Sequence, residues 1–126
     1  MIKHLLLVAS GGALGASLRY LTGIAALRWF GANFPWGTLM VNVIGSFVMG
    51  VLAEFIVRKL GASSELRLLL LTGLLGGYTT FSAFSLDAVM LIERGAYSAA
   101  TGYVLANVIG SIVALLLGLL LARSLF

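Results

Sequence analysis

Apolar residues run along this chain in four long blocks, and the polar residues between them collect in short gaps. A helix that crosses about 30 Å of hydrocarbon needs roughly 20 predominantly apolar residues. The blocks at approximately 5–26, 36–57, 66–92 and 97–122 all reach that length, and their connections are short. The pattern therefore predicts an all-α integral membrane protein, a single four-span domain over residues 1–126. The first block is too long for the apolar core of a signal peptide and has no clear small-residue cleavage site, so it is expected to be a retained first helix.

Composition narrows the class. Of 126 residues 61% are hydrophobic and 10% charged, against about 25% charged in an ordinary soluble domain. A soluble enzyme is excluded, because so few charges cannot cover a water-facing surface. Sixteen glycines and one proline suit packed membrane helices and argue against disorder. With no cysteine, disulfides and thiolate metal sites are absent. The formal charge of +4 does not point to nucleic acid, since the basic residues are scattered at helix ends rather than gathered into a stripe; membrane lipid head groups are the expected partner.

Lys3, Arg58, Lys59, Arg67 and Arg123 fall on one side of the predicted bundle, Arg28 and Arg94 on the other. The excess favours cytoplasmic termini. It is small, and a chain this short is expected to insert in both orientations. An internal echo adds to this: residues 37–48 (GTLMVNVIGSFV) and 102–113 (GYVLANVIGSIV) agree at seven of twelve positions, and the same offset of 65 aligns Gly11-Gly12 with Gly76-Gly77. A duplicated two-helix unit explains the echo. Two spans per unit leave both halves pointing the same way, so inverted symmetry of the transporter type needs a second, oppositely inserted chain.

Small residues four apart let helix backbones approach closely in lipid. Gly11 and Gly15, Ser46 and Gly50, and Gly73 and Gly77 form such pairs, and the fourth span carries Gly102, Ala106, Gly110, Ala114 and Gly118 in a row. So many packing faces on a slender bundle predict a homodimer.

Polar groups at membrane depth are costly and are the best functional lead. Thr38, Asn42 and Ser46 share one face of the second span; Tyr103, Asn107 and Ser111 share one face of the fourth. Two readings stay open: hydrogen bonds between helices, or a permeation path. Amides, hydroxyls and a phenol all donate hydrogen bonds, which suits an anion; a cation path more often shows carboxylate rings. The acidic residues Glu54, Glu65, Asp87 and Glu93 read as solvated or paired span ends, with Glu54 able to meet Arg58 at i, i+4. Lone His4 is expected to have no role. Arg19, inside the first span, either snorkels to the interface or supplies positive potential to an anion vestibule.

The third span contains Gly76-Gly77-Tyr78-Thr79-Thr80-Phe81-Ser82-Ala83-Phe84-Ser85. Paired glycines followed by paired threonines are poor helix formers, so the helix is expected to unwind here. Irregular backbone at that depth survives only when buried in protein or lining a cavity. Its freed carbonyls near Gly76 and Thr79 would suit a small hard cation. Phe81 and Phe84, three apart, lie on one side; they are either ordinary packing or ring edges for a poorly hydrated anion.

The strings GGALGASLRY, WGTLMVNVIGSFVMG and GGYTTFSAFS, in that order and at this chain length, resemble the Fluc (CrcB-type) fluoride channel family. The resemblance implies a dual-topology antiparallel homodimer in the bacterial inner (plasma) membrane. It implies passive, fluoride-selective export that protects against fluoride toxicity, and a structural sodium ion at the dimer centre. Carried over residue by residue, it makes Phe81 and Phe84 pore phenylalanines and Asn42 the pore amide, with Thr38, Ser82 and Ser85 beside them. Gly76 and Thr79 become sodium-binding carbonyls, and Arg19 a vestibule residue. The fourth-span track of Tyr103, Asn107 and Ser111 matches the family pattern less closely. The rivals are a small four-span multidrug exporter, which calls for a carboxylate in the first span that is lacking here, and an accessory subunit of a larger membrane complex.

Overall fold

A computed structural model describes all residues, Met1–Phe126. It is all-helical: α1 (Ile2–Phe30), α2 (Trp36–Lys59), a third span assembled from α3 (Ser64–Leu66), a π-helical stretch (Arg67–Leu75), α4 (Gly76–Tyr78) and α5 (Phe81–Glu93), and finally α6 (Tyr97–Leu125). Four helical segments are long and apolar enough to cross a membrane. At 1.5 Å per residue the 29 residues of α1 reach about 43 Å, beyond the hydrocarbon and into the head groups. That is why α1 continues past the expected end at 26: Leu27, Trp29 and Phe30 prolong the apolar run, and Arg28 lies in the last helical turn rather than in a loop, where a cation faces the negative end of the helix dipole. Gly31, with φ of 81°, then ends the helix.

The two halves of the chain meet at equivalent places. Asn42 bonds to Asn107, and the Arg58 side chain to the Arg123 carbonyl, both pairs being 65 residues apart. A separation that stays constant along two helices means that α2 and α6 run parallel, as a duplicated unit with an even number of spans requires.

Glycine supplies the close approach. A methyl on Gly50 would strike the Leu115 carbonyl, and one on Gly118 the Phe47 carbonyl, so α2 and α6 touch backbone to backbone. Gly11 and Gly15 meet the Leu69 and Leu74 carbonyls in the same way, and a methyl on Gly77 would come within 2.7 Å of the Gly12 carbonyl oxygen. These are the small-residue faces the spacing marks out, except that the upper end of the α6 row is not used within the chain: nothing lies within 4 Å of a methyl built on Gly102. Overpacking of this kind costs about 1–3 kcal/mol. Gly118→Ala is therefore expected to lower the thermal unfolding midpoint in detergent clearly more than Gly110→Ala, whose added methyl meets only Val43 Cγ2 at 3.4 Å.

Apolar side chains fill two clusters, one at each end of the bundle. Ile56, Leu71 and Leu75 form the first; Phe84, Ala88, Leu91, Ala100 and Tyr103 form the second, with Phe34 and Leu39 against it. Ion pairs sit at the first end only: Lys3 with Glu65 at 2.9 Å, and Glu54 with Arg58 at 3.0 Å and Arg123 at 3.4 Å.

Candidate functional site

The third span does break, but three residues later than its glycines suggest. Gly76 and Gly77 remain helical through Tyr78, while Thr79 (φ −83°, ψ 158°) and Thr80 (φ −153°, ψ 119°) are extended. Gly77 serves the contact with α1 instead, whereas Gly76 faces outward, and the β-branched threonines, which favour extended backbone, take the break.

Every backbone group at this depth needs a partner, and the partners from outside the span come from α1 and α2. Asn42 on α2 accepts from the Thr80 N–H at 2.8 Å and donates back to the Thr80 carbonyl at 3.1 Å. Its amide also donates to Asn107 Oδ1 at 2.9 Å. From α1, Arg19 Nε donates to the Gly77 carbonyl at 3.1 Å, and the Thr22 and Tyr78 hydroxyls pair at 2.9 Å. Arg19 thus neither snorkels nor stands free: it replaces a helical donor that the break removed. Thr80 Oγ1 caps α5 by accepting from the Ala83 N–H at 3.1 Å.

Two carbonyls are stripped of their helical donors by these arrangements. The Thr80 N–H that an unbroken helix would send to Gly76 goes to Asn42, and the Ala83 N–H that would reach Thr79 goes to the Thr80 hydroxyl. Gly76 and Thr79 are the positions named from the sequence as carbonyl ligands.

A cavity of about 310 Å³ adjoins the break, walled by Asn42, Ser46, Thr79, Thr80, Asn107 and Ser111, with Phe81 and Phe84 among its apolar walls. The two rings lie 5.3 Å apart, edge towards face. Phe84 is buried, at 8% exposure, whereas Phe81 is 76% exposed at the cavity's rim. Ser111 Oγ is buried and has no hydrogen-bond partner. Asn107, 4% exposed, spends one amide hydrogen on the Tyr103 carbonyl at 3.0 Å.

The remaining track members are distributed otherwise. Thr38 lines a second cavity of about 290 Å³ together with Arg19 and Thr80, on the other side of Asn42 from Ser46. Tyr103 is fully buried and donates to Asp87 Oδ2 at 2.8 Å. Asp87 is therefore not a solvated span end; its carboxylate closes the track, a role the sequence does not signal because partner and acid lie on different spans. Ser82 faces outward beside the Thr80 hydroxyl at 3.3 Å, and the Ser85 hydroxyl turns back to the Phe81 carbonyl at 2.9 Å.

Comparison with known proteins places this arrangement in a family. The chain is 64% identical over 121 residues to the protein named fluoride-specific ion channel FluC in Chelativorans sp. (strain BNC1), covering 96% of this chain and 97% of that one. It is 55% identical over 123 residues to the protein of the same name in Agrobacterium fabrum (strain C58 / ATCC 33970), with 98% of each chain covered. The corresponding protein of Rhizobium meliloti (strain 1021) is 56% identical over 123 residues, again with 98% of each covered. A family model described as CrcB-like protein, Camphor Resistance (CrcB) matches residues 6–119, a stretch that takes in the α1 clamp, both asparagines and the broken span: the chain belongs to the CrcB family.

Proposed function

We propose that this protein is a fluoride-selective channel that lets fluoride leave a bacterial cell passively through its inner membrane. One observation carries the reading: a buried hydroxyl without a partner, Ser111 Oγ, belongs to a residue lining a cavity that Phe81 and Phe84 also line and that has no carboxylate in its wall. Fluoride is small and tightly hydrated, so a path for it must replace water with closely placed donors. The Ser46 and Ser111 hydroxyls and the second amide hydrogen of Asn107 are the donors of this cavity left uncommitted, and ring edges carry positive partial charge. Fluoride enters cells as neutral HF and dissociates. A negative-inside potential, worth about 2.3 kcal/mol per charge per 100 mV, then drives the anion outward, and no chemical step is needed.

The functional unit in this reading is an antiparallel homodimer. The amides and hydroxyls of Asn42, Ser46, Asn107 and Ser111 in the cavity wall are a poor surface to present to lipid, and an oppositely inserted copy covers them. Asn42, Phe81, Phe84, Asn107 and Ser111 line the ion path, Thr38 and Tyr103 extend it, and Arg19 sets a positive potential near the break. The donorless carbonyls of Gly76 and Thr79 fit a small hard cation of the sodium type, which at the proposed dimer centre would supply fixed positive charge. At that centre Arg19 and Asn42 hold the neighbouring backbone so that those two carbonyls, and not Gly77 or Thr80, stay free.

Purified protein in liposomes loaded with potassium fluoride is expected to release fluoride when a potassium ionophore is added, with chloride release far smaller. Correctly folded protein without electrogenic fluoride flux would overturn the proposal, and proton-coupled movement of organic cations would favour the exporter reading.

A further inference from the structure

The second helix reaches the central cavity through two polar side chains, Asn42 and Ser46. Both amide hydrogens of Asn42 are already engaged, one with the Thr80 carbonyl and one with Asn107 Oδ1. Asn42 therefore shapes the wall without having a hydrogen to give. The hydroxyl of Ser46 is the only donor that α2 has left for an ion in this cavity.

Ser46 and Ser111 are counterparts in the internal repeat, 65 residues apart like Asn42 and Asn107 one turn before them. The two pairs differ in what they do. The asparagines bond to each other at 2.9 Å, whereas neither serine hydroxyl has a partner: Ser111 Oγ is buried, and Ser46 is half-buried in the cavity wall. Other hydroxyls at membrane depth turn back to the carbonyl four residues earlier, as those of Ser10, Ser17, Thr22 and Thr101 do. That local partner is open to any serine in a helix, and the two cavity serines leave it unused. Their helices are pinned on both sides of them, by the asparagine bond before and by the backbone contact at Gly50 and Gly118 beyond. Donors held on fixed helices are in place before the charge arrives, and they favour an anion small enough to make short hydrogen bonds.

Resting on the channel reading above, we propose that Ser46 is a specificity-determining residue of the ion path, the donor from α2 that binds fluoride stripped of its water together with Ser111 from α6.

Two replacements of Ser46 test this in the liposome assay. Ser46→Ala is expected to slow fluoride efflux about two- to ten-fold, the rate equivalent of one lost hydrogen bond, and to lower the ratio of fluoride to chloride release. The thermal midpoint is expected not to fall, because the hydroxyl has no partner within the chain. Ser46→Cys keeps nearly the same bulk and offers only a weak donor; the same slowing is expected, and this variant decides the matter if the alanine variant folds poorly. Unslowed efflux in both variants overturns the role of Ser46, while conduction by the unaltered protein leaves the channel standing. Slowed efflux with a lowered midpoint in both variants makes Ser46 a packing residue and overturns its role as a donor. Absence of fluoride flux in the unaltered protein removes the path itself and the inference with it.

Discussion

Isoleucine in place of Phe81 or Phe84 is expected to cut fluoride efflux from liposomes about two- to ten-fold while the proposed dimer still elutes intact from a sizing column. The rings stand 5.3 Å apart at the wall of the polar cavity. A ring edge at such a contact contributes about 0.5–1.5 kcal/mol, and about 1.4 kcal/mol changes a rate ten-fold. Isoleucine keeps apolar bulk and offers no polarised edge. The two sites separate packing from permeation: Phe81 is 76% exposed and Phe84 is 8% exposed within the cluster that holds Tyr103. A packing role predicts damage at Phe84 alone, seen as a lower thermal midpoint. A pathway role predicts lost flux at both, with the midpoint moved only at Phe84. Dissociation of the dimer by Phe81→Ile would mean that this ring serves the interface and not the ion.

Asn42→Ala is expected to be the most damaging single change, abolishing flux and lowering the thermal midpoint together. The Asn42 amide satisfies the Thr80 N–H, the Thr80 carbonyl and Asn107 Oδ1 at once. Each buried group left without a partner costs about 1–3 kcal/mol, and no water is at hand in hydrocarbon to replace the amide. The Thr80 N–H would then be free to return to the Gly76 carbonyl, so the broken span is expected to re-form a helix and close the cavity. Asn107→Ala removes one partner from Asn42 and leaves the contacts to Thr80, so its loss of stability should be the smaller. An Asn42→Ala protein with unchanged midpoint and unchanged flux would show that the break holds itself open.

Several features of the site were legible because they are properties of single segments. The threonine pair after two glycines marks a span that cannot stay helical throughout, and the Asn-Val-Ile-Gly-Ser block repeated at an offset of 65 brings Asn42 and Asn107 together. The point of rupture was not legible. Intrinsic propensity favours unwinding at Gly76-Gly77, yet both stay helical, Gly77 packed against Gly12 and Ala16 of α1, and the break passes to Thr79 and Thr80, where Asn42 satisfies the Thr80 backbone. Equal spacing on one helix face likewise did not put Thr38 into the cavity of Asn42 and Ser46, since a face wide enough for four neighbours borders more than one of them. The π-helical stretch over Arg67–Leu75 has no composition of its own to announce it.

Hydropathy by itself determined that this chain is four apolar helices, because the cost of moving each residue from water into lipid is summed along one segment and needs no neighbour, and the poor helix propensity of Gly76-Gly77 and Thr79-Thr80 marked the fault in the third. Only the packed bundle decided which group answers which: Arg19 for the Gly77 carbonyl, Asp87 for Tyr103, and nothing for Ser111. Such pairings depend on the height and rotation of one helix against another. Those are set where glycine lets two backbones touch, and a rotation of a few tens of degrees exchanges one partner for another while the hydropathy of every segment stays the same.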